Sequence, residues 1–145
     1  MHHRPKMYRK EPPNPREPEK FDLPFEGQLS PNNRWVQMSE LIPWSEFEDE
    51  YAAKFSENNG APAKSFRMAL GALIIKEKLK ISGRETVEQI RENPYLQYFL
   101  GLSSYTNEAP FDDSMLVYFR SRIGPELVNK INQRIVVGEL KKKPN

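Results

Sequence analysis

The chain has 145 residues, enough for one domain or for a smaller domain with a tail. It contains no cysteine, which excludes disulfides and cysteine-ligated zinc and fits a reducing compartment. The longest apolar run, Ala72–Ile75, is far too short to cross a membrane, and the basic start lacks the apolar stretch of a secretory signal.

Residues 1–31 hold seven of the thirteen prolines, and the mean hydropathy of the chain is −0.77. Proline removes a backbone donor and forbids helix, so residues 1–34 read as an extended, disordered arm. Seven basic and five acidic groups make it mildly basic. Composition favours a solvated leader over an arm that touches DNA phosphates. The chain's two histidines, His2 and His3, lie there, which excludes histidine catalysis in the folded part and makes a metal site unexpected. The stretch 35–60 sets six acids against Lys54, while 61–137 carries eleven basic and eight acidic groups. An acidic entry followed by a basic body steers a polyanion towards one side, weakly at this contrast.

Arg34–Leu41 reads as a short helix or turn stopped by Pro43. Ser45-Glu46-Phe47-Glu48 is a capping box, and Trp44, Phe47, Tyr51 and Phe55 recur at helical spacing, with Asn58-Asn59-Gly60 as the stop. The carboxylates of that first turn suit the helix dipole better than a metal. Ser65–Lys80 is apolar over more than half of its circumference and belongs at the centre of the core. Gly71 in mid-helix costs about 1 kcal/mol against alanine, which implies the close approach of another helix.

Ser82-Gly83-Arg84-Glu85 is a second capping box, opening a helix over 83–92 with Val87 and Ile90 inward and Arg84, Glu88, Gln89 and Arg91 outward. Asn93-Pro94 restarts the chain as cap and first residue, and Gly101 ends an aromatic helix. After a loop over 103–111, Asp112 caps a helix over 113–123. There the two adjacent aspartates suit cap and dipole better than catalysis. Leu116, Phe119 and Ile123 form its buried stripe. Ser114, Tyr118, Ser121 and Arg122, with Arg120 nearby, offer donors without competing acids, as a phosphate- or base-contacting surface requires. An ordinary solvent face fits equally. The last helix runs over 125–137, with Leu127, Val128, Ile131 and Ile135 inward, followed by a basic tail over 138–145.

The order of these blocks resembles the N-terminal domain of bacterial insertion-sequence transposases of the DDE type (the InsH-like group). The resemblance covers about 35–137. It runs from Trp44, Phe47 and Tyr51 through Asn59-Gly60-Ala61-Pro62, Ile81-Ser82-Gly83-Arg84-Glu85 and Asn93-Pro94-Tyr95. It continues with Tyr98-Phe99-Leu100-Gly101-Leu102, Pro110-Phe111-Asp112-Asp113-Ser114-Met115-Leu116 and Phe119-Arg120-Ser121-Arg122-Ile123-Gly124. It implies a role in DNA-mediated transposition: binding element ends and helping transposase molecules assemble. In such enzymes three acidic residues of a downstream ribonuclease-H-like domain hold two divalent metals. This sequence stops at Asn145, so no cofactor is expected within it and it is not expected to cut or join DNA alone.

The expected fold is therefore all-α: a compact bundle of about five helices with helix-turn-helix-like elements over 35–137, a disordered proline-rich arm over 1–34 and a basic tail. The expected partner is double-stranded DNA at terminal inverted repeats, together with self-association or a catalytic transposase half. The expected setting is the cytoplasm, at the bacterial nucleoid and away from membranes. The DNA contacts expected are Arg120, Arg122, Tyr118 and Ser114, then Arg84 and Arg91, then Lys64 and Arg67. A protein-interaction module built on the acidic Trp44–Phe55 helix is the alternative, and a truncated transposase that inhibits transposition is a third reading.

Overall fold

The computed structural model describes residues 17–52 and 64–142. Phe55, the Asn58-Asn59-Gly60 stop, residues 1–16 of the arm and residues 143–145 of the tail lie outside the described residues. Within them are seven α-helices and no strand: α1 (Arg34–Leu41), α2 (Trp44–Ala52), α3 (Phe66–Leu79), α4 (Gly83–Glu92), α5 (Pro94–Phe99), α6 (Ser114–Ile123) and α7 (Pro125–Lys142). The all-α class is as expected, and the helices are more numerous than the five or so anticipated. Arg34–Leu41 resolves to a helix because the Asn33 side-chain Oδ1 accepts from the amides of Trp35 and Val36, satisfying two of the donors a helix start leaves open.

The core centres on α3, whose middle is buried on every side. The Ser65 hydroxyl caps its start by accepting from the Met68 amide at 3.1 Å. Lys80 ends it in the left-handed region (φ 54°). A Cβ on Gly71 would stand 2.8 Å from Leu100 Cδ2, so glycine there lets the end of α5 pack against α3, as its mid-helix position suggested. Phe99 of α5, fully buried, meets Trp35 at 5.2 Å and Trp44 at 5.5 Å, both edge-on. Each such ring pair adds about 0.5–1.5 kcal/mol beyond its buried area, so one side chain ties α1, α2 and α5 together.

Both caps read for the middle of the chain hold. Ser82 Oγ accepts from the Glu85 amide at 3.0 Å, and Asn93 Oδ1 accepts from the Tyr95 amide at 2.9 Å with Pro94 at the first helical position. Two details differ. α2 begins at Trp44, which places Ser45 inside the first turn rather than at the cap. In α4 the partner of Ile90 in the core is Thr86, with Val87 only half-buried, because the Thr86 hydroxyl donates to the Ser82 carbonyl at 2.8 Å and needs no water.

The arm expected over 1–34 is packed on the body from Phe21 onwards. Phe21 and Leu29 join Val36 and Tyr98 in a second apolar cluster, with Phe21 edge-on to Tyr98 at 6.1 Å. Backbone bonds link Asp22 to Ser103 and Tyr105, and the Ser30 amide donates to the Tyr95 hydroxyl at 2.8 Å. Proline excludes long helix here, but it leaves short turns that lay these apolar side chains across α1 and α5. At the other end, α7 continues past Val137 to Lys142, so the tail expected from Gly138 begins as helix. A Cβ at Gly138 would lie 2.7 Å from Leu41 Cδ2, so the glycine admits α1 against the last turns of α7.

Candidate nucleic-acid interface

α6 starts where the Asp112 carboxylate accepts from the Ser114 amide at 3.1 Å and from its hydroxyl. Those bonds, the hydroxyl foremost, hold the Asp112 carboxyl below its usual range. Leu116, Phe119 and Ile123 anchor the helix, and Phe111 stands edge-on to Phe119 at 5.3 Å. A Cβ on Gly83 would be 3.2 Å from Leu116 Cδ1, whereas Leu73 and Glu77 line a groove with Arg120 and Gly124. α6 therefore runs back along α3, with its start beside the α3–α4 turn. Ser114, Val117, Arg120 and Ser121 are its exposed positions, Val117 at 74%.

The structure divides the eight expected contacts. Arg120 and Ser114 lie on the outer face of α6, although the Ser114 hydroxyl is engaged by Asp112. Arg84 is exposed at the start of α4, next to Gly83 and hence close to the start of α6. Tyr118 and Arg122 do not share the Arg120 face. Both are half-buried, the Arg122 guanidinium stacks 5.1 Å over the Tyr118 ring, and both act electrostatically on Tyr51 of α2, whose hydroxyl burial pushes far above its ordinary range. Residues two apart on a helix are separated by about 200°, so Arg120 and Arg122 cannot face one partner together.

Arg67 is the clearest correction. It is 9% exposed, and its Nε and a terminal nitrogen donate to the carbonyls of Phe99 and Tyr98 at 2.9 and 3.0 Å. Its guanidinium also lies 4.9 Å from the Trp44 ring centre. The end of α5 leaves carbonyls without helical donors; the Gly101 amide reaches that of Tyr98, and this arginine adds a second donor there and supplies Phe99 from inside the core. Lys64 is half-buried at the same end of α3, about 20 Å of helix away from Lys80 and Arg84. Arg91 is paired with Glu88 at 2.6 Å, and that hydrogen bond and charge hold the Glu88 carboxyl below its usual range.

Residues that sequence reasoning passed over complete the outer face. Val117 is exposed between Ser114 and Arg120, and Lys80 is exposed at the turn leading to α4. A groove of about 170 Å³ adjoins Arg120, with Leu73, Pro125 and Val128 along it and Asn129 and Asn132 on its α7 side. Marking the Leu116–Phe119–Ile123 stripe and taking the residues opposite would have found Val117. Among the described residues no three His, Cys, Asp or Glu side chains group to hold a metal ion.

The family profile of a transposase domain (DUF772) matches residues 23–122. The chain belongs to that family. The match takes in both the packed segment from Leu23 and all but the last residue of α6. The chain is also 35% identical over 98 residues to an uncharacterized protein, ORF8 in the nfe locus, of Rhizobium meliloti. That alignment covers 68% of this chain and 47% of the relative, so the chain spans about half the length of the relative it matches. No solved structure matches it. No helix among the described residues is long and apolar enough to cross a membrane.

Proposed function

We propose that this transposase-family domain binds duplex DNA at the ends of an insertion element, through the outer face of α6 with Lys80 and Arg84 alongside. The observation that carries the reading is Arg120: exposed, on a helix face without acids beyond Asp113, and committed to no carboxylate among the described residues. A guanidinium in that state is available to a phosphate or, bidentate, to a guanine edge, and Val117 beside it suits a thymine methyl. Lys80 and Arg84 add charge for backbone contacts that set the register. In this reading the α3–α4 turn acts as a helix-turn-helix-like support and α6 reads. Association with the bacterial nucleoid follows from the DNA contact. The domain holds an element end, and the metal-dependent strand chemistry belongs to a ribonuclease-H-like half acting with it.

The test is binding to terminal inverted-repeat DNA and to scrambled DNA over a range of salt, with wild type, Arg120→Ala and Arg67→Lys. Sequence-selective binding with a steep salt slope that Arg120→Ala weakens supports the reading. Equal binding by wild type and Arg120→Ala would place the contact elsewhere.

A further inference from the structure

Leu73 and Glu77 stand one turn apart on α3 and line a groove with Arg120 of α6 and with Val128, Asn129 and Asn132 of α7. Four of its eight lining residues are polar, and they are of mixed kind. The Glu77 carboxylate only accepts, the Arg120 guanidinium only donates, and the two asparagine amides do both. None of these four side chains has a hydrogen-bond or ion-pair partner among the described residues, so Glu77 and Arg120 share a groove without pairing to each other. Opposite charges left apart in one groove disfavour a simple ion. A phosphate or carboxylate suits Arg120 and is repelled by Glu77, and an ammonium group is in the reverse position. What satisfies both is a neutral group with donors and acceptors side by side on one planar edge, and with flat faces for Leu73 and Val128. A nucleobase has that form, and the DNA reading above, on which this inference rests, brings one to Arg120.

We infer that this groove holds an unpaired guanine of the bound DNA. The N1–H and N2–H groups of guanine are parallel donors that one carboxylate accepts together, and its O6 and N7 accept from Arg120 and the asparagine amides. Adenine and cytosine turn a ring-nitrogen lone pair towards Glu77, and thymine flanks its one N–H with two carbonyls. In a base pair the N1–H and N2–H donors are taken by cytosine. The base must therefore leave the stack, as bases read on their Watson–Crick edge do. Glu77, Arg120 and Asn129 are exposed, so the groove is open to solvent and leaves room for the sugar and phosphates of a base still in its strand.

The test compares a fully paired duplex with duplexes that carry one unpaired guanine, adenine, cytosine or thymine. Wild type should bind the guanine bulge about tenfold or more tightly than the other three bulges. Glu77→Gln is the deciding variant. An acid that merely borders a DNA surface repels phosphate, so its neutralisation would tighten binding to every duplex alike. The inference expects instead that Glu77→Gln abolishes the guanine preference while the paired duplex is bound no more weakly. Glu77 is exposed, so the variant should fold, and circular dichroism checks that. Equal affinity for the four bulges, or a guanine preference that Glu77→Gln leaves in place, would overturn the inference. Tight binding of guanosine monophosphate without any bulge preference would also overturn it, by assigning the groove to a free nucleotide. Failure of the DNA reading shows differently, as a paired-duplex affinity that Arg120→Ala leaves unchanged.

Discussion

Two arginines of this domain, Arg67 at the meeting of α3 and α5 and Arg120 on the outer face of α6, are put to opposite uses. Arg67 spends its donors on the carbonyls of Tyr98 and Phe99 and lies over Trp44. Arg120 is exposed at the rim of a groove. The type of side chain is the same, and only the surroundings decide whether the charge belongs to the fold or to a partner. α4 stands between these extremes, since its Arg91 is half-buried and paired with Glu88, and Gln89 bonds to Glu85. A basic residue counts towards a DNA surface only when no acid or carbonyl has already claimed it.

Removing each arginine should separate the two uses most sharply. Arg67→Leu strands the buried Phe99 carbonyl, while that of Tyr98 keeps the Gly101 amide, and an unpaired buried carbonyl costs about 1–3 kcal/mol, the loss expected in urea denaturation. A loss under about 0.5 kcal/mol, the range of ordinary surface changes, would mean the Phe99 carbonyl finds another donor. Next in size, Gly71→Val pushes two methyl groups into the space where a single Cβ already reaches Leu100 at 2.8 Å. Overpacking of this kind costs about 1–3 kcal/mol, so the melting temperature should fall while any DNA contact of the surviving folded protein is kept.

Much of the scaffold side of the comparison was legible. Ser82, Asn93 and Gly71 carry local signals that act within a few residues, and each does what its neighbours implied. Arg67 was not legible, because a guanidinium bound for the core has the same sequence neighbourhood as one bound for solvent. Its partners lie more than thirty residues away. The packed segment from Phe21 was missed for the same reason: Phe21 and Leu29 follow no helical or strand period, and their partners Tyr98 and Val36 are set by the tertiary fold. On α6 the core stripe was plain, yet Arg120 and Arg122 were grouped although about 200° of helix separates them. The rotation of a helix is readable, and applying it strictly would have exchanged Tyr118 and Arg122 for Val117.

Arg120→Ala is the counterpart on the outer face. Stability should change by no more than about 0.5 kcal/mol, while affinity for inverted-repeat DNA falls about tenfold and the salt slope drops by about one unit. Arg122→Ala should reverse that pattern, with stability lost and the salt slope kept, because its half-buried guanidinium stacks on Tyr118 and acts electrostatically on the buried Tyr51. Equal salt slopes for the two variants would dissolve the distinction drawn between the two flanks of α6. Phe25→Gly should stabilise the monomer by about 1 kcal/mol, since glycine accepts the left-handed backbone and no contact is lost. A neutral or destabilising result would show that the turn carries no strain to release.

The smallest effect tests the intermediate case, α4. Glu88→Gln releases Arg91 from its partner without removing it. If prior commitment is what keeps Arg91 away from DNA, the variant should bind duplex DNA up to about threefold more tightly at low salt and lose that gain as salt rises. Its pH dependence has a definite sign. The hydrogen bond and charge of Arg91 depress the Glu88 carboxyl, so the pair is intact above the ordinary carboxylate range and is lost as pH falls through the depressed value. Wild type protonated at Glu88 resembles the glutamine variant, so the difference between them should close on the acid side and be constant at neutral pH. A gain that persists in acid would have to come from something other than the freed guanidinium, and an absent gain at neutral pH would show that the position of Arg91 on α4, rather than its pairing, removes it from the interface.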